Sequence, residues 1–428
     1  MSPAPQNDLE WLYSLESTGI KLGLSNVRSL LKKLGDPQDR FGTIHVAGSN
    51  GKGSVSAMGA SILRSAGYRT GLYTSPHLVR FTERMTVDGK EMSEGRLAKY
   101  VSEMRGLCES WSFPRPLTFF EITTALAFLH FSESKVEEAM VEVGMGGRLD
   151  ATNVIRPHCS VITPISVEHT AYLGDTLSKI AYEKASIIKD GVPVVCSPQT
   201  REAMRVISWM AECKGSNVKF LGRDFQAECV GQDLEGMTVR LNSLGTEVKL
   251  GMLGRYQCQN AAVAAEMALE VGKMIPISNG SIVEGLSNAI WPGRLEVVRR
   301  TPLTVLDVTH TPEGARAVAS ELNVFPGSPR IMVVGMLRDK DARGAMANLA
   351  PLFDRVVCTS SSSPRAFSPQ EMLEASLPYN KNCLAVDGVG KAIEVAEGMA
   401  GKDGFLFVSG SLYTIGEAMQ HLEGRHGP

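Results

Sequence analysis

The sequence predicts an α/β protein. A phosphate-loop domain on a parallel sheet, with a small antiparallel addition, precedes a smaller Rossmann-like α/β C-terminal domain. Three observations carry this. The stretch Thr43-Ile44-His45-Val46-Ala47-Gly48-Ser49-Asn50-Gly51-Lys52-Gly53-Ser54 passes from an apolar strand through a glycine loop into a helical pattern (Val55, Met58, Ile62, Leu63). Strand-length apolar runs then alternate with helical patterns, the spacing of a parallel sheet covered on both faces. After Trp291-Pro292-Gly293-Arg294 a fresh alternation begins at Leu303, and a chain of 428 residues exceeds one ordinary core.

Taken in order, residues 8–35 read as helix, break and helix: Leu9, Leu12 and Leu15, then Leu22-Gly23-Leu24-Ser25, then Val27, Leu30, Leu31 and Leu34. The second strand, 69–73, runs into Thr74-Ser75-Pro76-His77-Leu78. The stretch 79–94 is irregular and polar with a turn at Asp88-Gly89, the pattern of a functional loop. Helices over 93–109 and 119–132 lead to a buried strand, 138–143, that ends at Gly144-Met145-Gly146-Gly147. Next come strand 160–164, helix 176–189, strand 192–196 and helix 200–213. Short alternating segments at 218–221, 237–241 and 247–250 read as the antiparallel addition, and helices 256–272 and 282–290 bring the first domain to residue 293. The second, 294–428, takes strands at 303–307, 330–335, 354–358, 383–386 and 404–408 with helices between.

Hydrophobic residues at 43% and charged residues at 21% are ordinary for a globular protein. A formal charge of −2 and the lack of any basic block argue against nucleic acid or an anionic membrane as main partner. No apolar run is long enough to span a bilayer, and the opening MSPAPQNDLEW is too polar for a signal peptide. The eight cysteines are scattered without a C-x-x-C pair, which reads as reduced cysteines in a cytoplasmic protein.

The loop's chemistry follows from its order. A strand, a glycine turn and a helix N-terminus present free backbone N–H groups to an anion. Lys52 adds a charge for the β/γ-phosphates, and the Ser54 hydroxyl reaches the accompanying magnesium. Gly53 breaks the strict G-x-x-x-x-G-K-[ST] pattern, so the loop is a variant; a plain glycine turn is the alternative. Ser75 follows the second strand, and open α/β sheets bind ligands at such strand ends. Glu142 sits inside an apolar run, where a carboxylate is costly unless it is paired or holds a metal. It reads as a magnesium ligand, an organiser of metal-bound water, or a carboxylate bonded to backbone. His169 lies just past strand 160–164, as a ligand or a merely hydrogen-bonded ring. Lys184 shares a helix face with Ile180 and Ile188, where its amine either snorkels or has altered chemistry. In the second domain Asp307 ends a strand. Val308-Thr309-His310-Thr311-Pro312 then opens a helix capped by Thr311 with Pro312 at its first position.

Together these segments resemble the folylpolyglutamate synthase/dihydrofolate synthase family of Mur-type ATP-dependent amide ligases. The likeness runs nearly end to end, through LGLSNV (22–27), HVAGSNGKGS (45–54), TSPHLVRFTERMTVDGKEMS (74–93), LTFFEITTALAF (117–128) and VEVGMGGRLDATN (141–153). It continues through EHTAYLGDTLSKIAYEKASIIK (168–189), GRYQCQNAAVA (254–264), WPGRLE (291–296), DVTHTPEGA (307–315), GMLRDKD (335–341) and VSGSLYTIGEA (408–418). The resemblance implies that ATP phosphorylates a folate- or pteroate-type carboxylate and that the amine of L-glutamate attacks the acyl phosphate. It implies that Gly51, Lys52, Gly53 and Ser54 hold the triphosphate, that Asn260, Arg294 and Asp307 contact the nucleotide, and that Ser75, Glu142 and His169 are magnesium positions. Lys184 matches the family's carbamylated lysine and His310 the histidine beside the transferring phosphate. The pterin site would draw on Gly23, Leu24 and Ser25, on Thr118, Phe119, Phe120 and Glu121, and on Leu149, Asp150 and Ala151. Two magnesium ions, a monovalent cation and a monomeric state belong to the same implication, with the first domain carrying the pterin site and the second the glutamate side of the cleft.

The chain departs from the family in three places. The usual D-G-A-H-N-P reads Asp307-Val308-Thr309-His310-Thr311-Pro312, the charged pair after LGL is Ser25-Asn26, and the aspartate before His169 is Glu168. The alternatives are a Mur-type ligase acting on another acid, such as a modified archaeal pterin or a cofactor tail, and a nucleotide-binding protein that has lost catalysis.

Overall fold

The computed structural model describes residues 8–19, 21–111 and 113–424. Eight strands form the first sheet: β1 (Gly42–Ala47), β2 (Thr70–Tyr73), β3 (Met85–Val87), β4 (Lys90–Glu91), β5 (Glu138–Glu142), β6 (Cys159–Ile162), β7 (Val194–Cys196) and β8 (Val218–Phe220). Their order is β4-β3-β2-β5-β1-β6-β7-β8. All pairings are parallel except those of β3 and β4, which extend one edge as an antiparallel hairpin. The polar stretch after Ser75 is therefore a short 3-10 turn, Phe81–Arg84, followed by that hairpin, rather than the loop its irregular pattern suggests. Asp88, at φ 52°, supplies the turn.

One face of this sheet is covered by the helices Lys52–Ser65, Tyr256–Val271 and Asn279–Ser287. The middle one carries buried Ala261, Ala262, Ala264, Ala265 and Ala268, whose small side chains allow close approach. The other face is covered by Ser25–Lys33, Glu94–Ser110 and Phe119–Glu133. In β1, Ile44 and Val46 are fully buried, each contributing about 1.5–3 kcal/mol.

Three further expectations are corrected. Val218–Phe220 pairs parallel with β7 as the edge of the main sheet. The antiparallel addition is instead β9 (Ala227–Asp233), β10 (Gly236–Leu241) and β11 (Thr246–Leu250), in the order β11-β10-β9. The helix expected over 176–189 spans Leu177–Ala185, and the one expected at 282–290 begins earlier, where Ser278 caps Asn279–Ser287.

The second sheet runs β12-β13-β17-β14-β15-β16, with β12 (Glu296–Arg300), β13 (Leu303–Asp307), β14 (Arg330–Val334), β15 (Arg355–Cys358), β16 (Cys383–Ala385) and β17 (Phe405–Ser409). β12 is antiparallel to β13 and the rest are parallel. It was absent from the sequence expectation because Glu-Val-Val-Arg-Arg at a sheet edge lacks the apolar run of its neighbours. A ladder of Phe325, Phe353, Phe405 and Phe407 covers one face, with centroids 5.5 Å apart between Phe325 and Phe405 and 5.7 Å between Phe353 and Phe407. The segment after β2 reaches this second unit: Leu78 packs on its cluster with Val308 and Ile415, and Gly416 lies against the Leu78 carbonyl.

Candidate active site

The glycine loop leaves β1 at its C-terminal end, and sterics dictate its shape. Gly48, at φ 150°, lies so close to Thr163 that a Cβ would fall 1.8 Å from its Oγ1. Gly51, at φ 85°, caps the helix Lys52–Ser65, and a Cβ there would sit 2.7 Å from Asn260 Oδ1. Such left-handed backbone favours glycine. The loop is tied to the exit of β6: Ser49 N donates to the Pro164 carbonyl at 2.8 Å, and Ser49 Oγ accepts from Ser166 N at 3.0 Å. Lys52 Nζ folds back across it, donating to the carbonyls of Gly48 at 3.0 Å and Ser49 at 3.2 Å. Gln257 reaches Ser54 Oγ at 3.5 Å and accepts from Asn260 Nδ2 at 2.8 Å. Gln257, fully buried, was missed in the sequence; its signal was its place one helical turn before Asn260. The Trp291 ring packs over Gly53.

Glu142, at the end of β5 and beside Val46 of β1, is 5% exposed and accepts one hydrogen bond, from Ser75 N at 3.3 Å. Burial pushes its carboxyl up to about 7, against the pull of Lys52 and Arg294. Ser75 and Glu142 thus meet. His169 is exposed, at φ 47°, before the helix Thr170–Leu173. Among the described residues no group of three His, Cys, Asp or Glu side chains forms a ready metal cage. His169 lies within electrostatic reach of Lys52, Lys184 and Lys340, the last from the second unit, and partial desolvation of its ring lowers its pKa.

Lys184 is 2% exposed. Its Nζ donates to the Gly48 carbonyl at 2.8 Å and to Glu168 Oε1 at 2.7 Å, joining the helix after β6 to the phosphate loop. Burial brings its pKa down to about 8, helped by Lys52 and opposed by Glu168. For Glu168 burial acts upward, but Lys184 and Lys52 together hold the carboxylate below its usual range.

In the second unit, Asp307 is committed to backbone. It accepts from Leu295 N at 2.9 Å and Thr309 N at 2.8 Å, and so ties the linker to the end of β13. Burial raises its pKa against the nearby Arg294. His310 Nδ1 lies 3.0 Å from the Val308 carbonyl, an acceptor only, so Nδ1 carries the proton and Nε2 offers a lone pair. Burial lowers its pKa and keeps the ring neutral near pH 7.

The expected substrate segments come together around Arg115, a residue the sequence did not single out. Its guanidinium pairs with both oxygens of Glu121 at 2.9 Å and donates to the Lys21 carbonyl at 3.1 Å. Its own carbonyl accepts from Asn26 Nδ2 at 2.7 Å. Glu121 and Thr118 form a capping box for the helix Phe119–Glu133. Gly23 N donates to the Leu149 carbonyl at 3.4 Å, Leu24 and Ser25 open the next helix, and Phe120 packs on Gly144. Asp150 is buried, accepts from Thr152 and Met145, and caps the turn beginning at Ala151.

Comparison with known proteins places this arrangement. The profile of the Mur ligase middle domain matches residues 46–268, and that of the Mur ligase glutamate ligase domain matches 293–412. A dihydrofolate synthase/folylpolyglutamate synthase of Bacillus subtilis is 33% identical over 433 residues, covering 99% of this chain and 100% of that protein. A probable bifunctional folylpolyglutamate synthase/dihydropteroate synthase of Haloferax volcanii is 36% identical over 421 residues; the match covers 96% of this chain but 49% of that protein, so the chain spans about half its length. The solved structure of Mycobacterium tuberculosis folylpolyglutamate synthase complexed with ADP and AMPPCP superimposes with a TM-score of 0.87 at 31% identity, covering 97% of this chain and 99% of that one.

Proposed function

Because the chain belongs to the folylpolyglutamate synthase/dihydrofolate synthase family of Mur ligases, we propose that it is an ATP-dependent ligase that joins a folate- or pteroate-type carboxylate to L-glutamate. The observation that carries this reading is the convergence of Lys52, Lys184 and Glu142 at the Gly48 loop, opposite Arg294 and His310. A substrate carboxylate oxygen takes the γ-phosphoryl group of ATP and ADP departs. The neutral amine of glutamate then attacks the acyl carbon, losing a proton as phosphate leaves.

Each step gathers negative charge, and this chain's residues answer it. Gly51, Lys52, Gly53 and Ser54 cradle the triphosphate, with Lys52 turning from its carbonyl contacts to the phosphates. Asn260, Arg294 and Asp307 frame the nucleotide from both sides of the linker. His310 presents Nε2 to the transferring group. The hydroxyl of Ser75 and the scarcely bonded carboxyl of Glu142 are hard oxygen donors of the kind magnesium takes, and His169, on the Lys52 and Lys184 side, adds a ring nitrogen. Magnesium, when bound, offsets the phosphate charge. A depressed pKa leaves part of Lys184 as free amine, the form that adds carbon dioxide and becomes a carbamate. Gly23, Leu24, Ser25, Thr118, Phe119, Phe120, Glu121, Leu149, Asp150 and Ala151 shape the pterin side, with 1–293 as the ATP- and pterin-binding domain and 294–428 closing on it. A second magnesium, a monovalent cation, a monomer and a cytoplasmic setting complete the reading. No helix among the described residues is long and apolar enough to cross a membrane.

The test is ATP-dependent ADP release with L-glutamate, comparing dihydropteroate with tetrahydrofolate and recording product masses. Turnover of dihydropteroate makes the enzyme a dihydrofolate synthase. Masses rising by glutamate units on the reduced folate make it a tail-extending enzyme. Silence with both overturns the folate reading.

A further inference from the structure

Arg84 ends the turn Phe81–Arg84 and is 7% exposed. Its Nε donates to His77 Nδ1 at 2.8 Å, and the guanidinium rests over Phe81 and Phe119, 5.7 and 5.3 Å from the ring centroids. Among the described residues no carboxylate lies within ion-pair distance of it, and its one hydrogen bond to a described side chain is the one to His77. Glu16, Tyr13, Tyr73 and Tyr413 act on it only through space. A nearly buried guanidinium with no paired carboxylate is costly, and an apolar side chain would pack more cheaply in this aromatic box.

Its position gives the guanidinium a use. Thr74 N donates to the Arg84 carbonyl at 2.9 Å, one residue before Ser75, whose N–H meets Glu142. Tyr73 next door feels the charges of Arg84, Asp150 and Glu142 together. Phe119 belongs to the expected substrate segment, and Tyr413 comes from the last helix of the second unit. Arg84 therefore stands where the acid and the amino acid must meet.

We propose that Arg84 recognises a spectator α-carboxylate of a glutamyl unit in the cleft, through two parallel N–H donors of its guanidinium. This rests on the ligase reading above. The carboxylate belongs either to a glutamyl tail already on the acid or to the incoming L-glutamate, and dihydropteroate, which lacks a spectator carboxylate, separates the two.

The experiment is steady-state kinetics of the wild type, Arg84→Gln and Arg84→Lys, with dihydropteroate, tetrahydrofolate, L-glutamate and L-glutamate α-amide. Loss of a charge-assisted bidentate contact raises the relevant KM about 10- to 100-fold in Arg84→Gln. The KM for ATP stays within about twofold, and Arg84→Lys recovers part of the loss. A rise confined to tetrahydrofolate assigns the tail; a rise for L-glutamate with either acid assigns the incoming amino acid. Unchanged KM values, or an equal loss of kcat with every substrate, overturn the proposal. If Arg84→Gln does not fold, the wild type decides: equal use of substrates whose α-carboxylate is an amide overturns it. A wild type silent with every acid instead overturns the folate reading on which the proposal rests.

Discussion

Glu121 and Glu142 are acids of nearly equal burial, 3% and 5% exposed, within one domain, yet their surroundings are opposite. Glu121 accepts from both Arg115 terminal nitrogens, from Thr118 N and from Thr118 Oγ1. Glu142 accepts a single bond from Ser75 N and is held near 7 by desolvation. The first carboxylate is a finished piece of scaffold. The second is left short of partners, as expected of a group whose partner is a ligand. Burial alone therefore does not mark a functional acid; the deficit of partners does.

The sharpest way to break the comparison is to neutralise each acid. Glu142→Gln keeps the shape and removes a desolvated charge, so it lowers kcat/KM by about 10²–10³-fold while leaving the melting temperature unchanged or higher. ADP release and calorimetry on the same sample check both halves. Glu121→Ala does the reverse. It removes a cap and strands Arg115, with a loss of about 3 kcal/mol in urea denaturation. An active-site effect of Glu121→Ala without that loss would break the contrast.

pH sharpens the same contrast. Glu142 releases its proton near the ordinary glutamate value of 4.5 when unfolded and at about 7 when folded. Between these values the unfolded chain ionises first, so the stability Glu142 contributes, complete below 4.5, is lost as pH rises through 7. Wild type minus Glu142→Gln stability therefore falls across that window. A magnesium ion held by Glu142, as proposed above, selects the anion and so would bind more weakly below pH 7; calorimetric titration of the ion with ADP at two pH values measures it.

The phosphate loop, β5 with Glu142 and the two alternations were legible because their signals are local: an apolar run, a glycine turn, a helical period. The antiparallel β9 and β12 were not, since Ala-Glu-Cys-Val-Gly-Gln-Asp and Glu-Val-Val-Arg-Arg carry polar edges whose pairing is set by distant strands. Arg115, Gln257 and Arg84 were invisible for a related reason. Arg115 finds the Lys21 carbonyl 94 residues away and Gln257 meets Ser54 across 203, separations at which spacing carries no information.

The smallest expected effect concerns the departure Asp307-Val308-Thr309-His310-Thr311-Pro312. A glycine in the family pattern is dispensable here, because neither Val308 nor Thr309 adopts positive φ. Val308 instead buries its side chain in the second core and donates to the Gly293 carbonyl at 3.0 Å. Thr311 Oγ1 accepts from Gly314 N at 3.1 Å, with Pro312 at the first helical position, so the cap that an asparagine would make is already made. Asparagine and threonine cap almost equally well, and Thr311→Asn should change stability by no more than about 0.5 kcal/mol. Its turnover should also stay within about twofold, provided position 311 acts only through the backbone that carries His310. A large gain in turnover with unchanged melting temperature would mean that the asparagine side chain touches substrate, and that this chain works without a contact its relatives use.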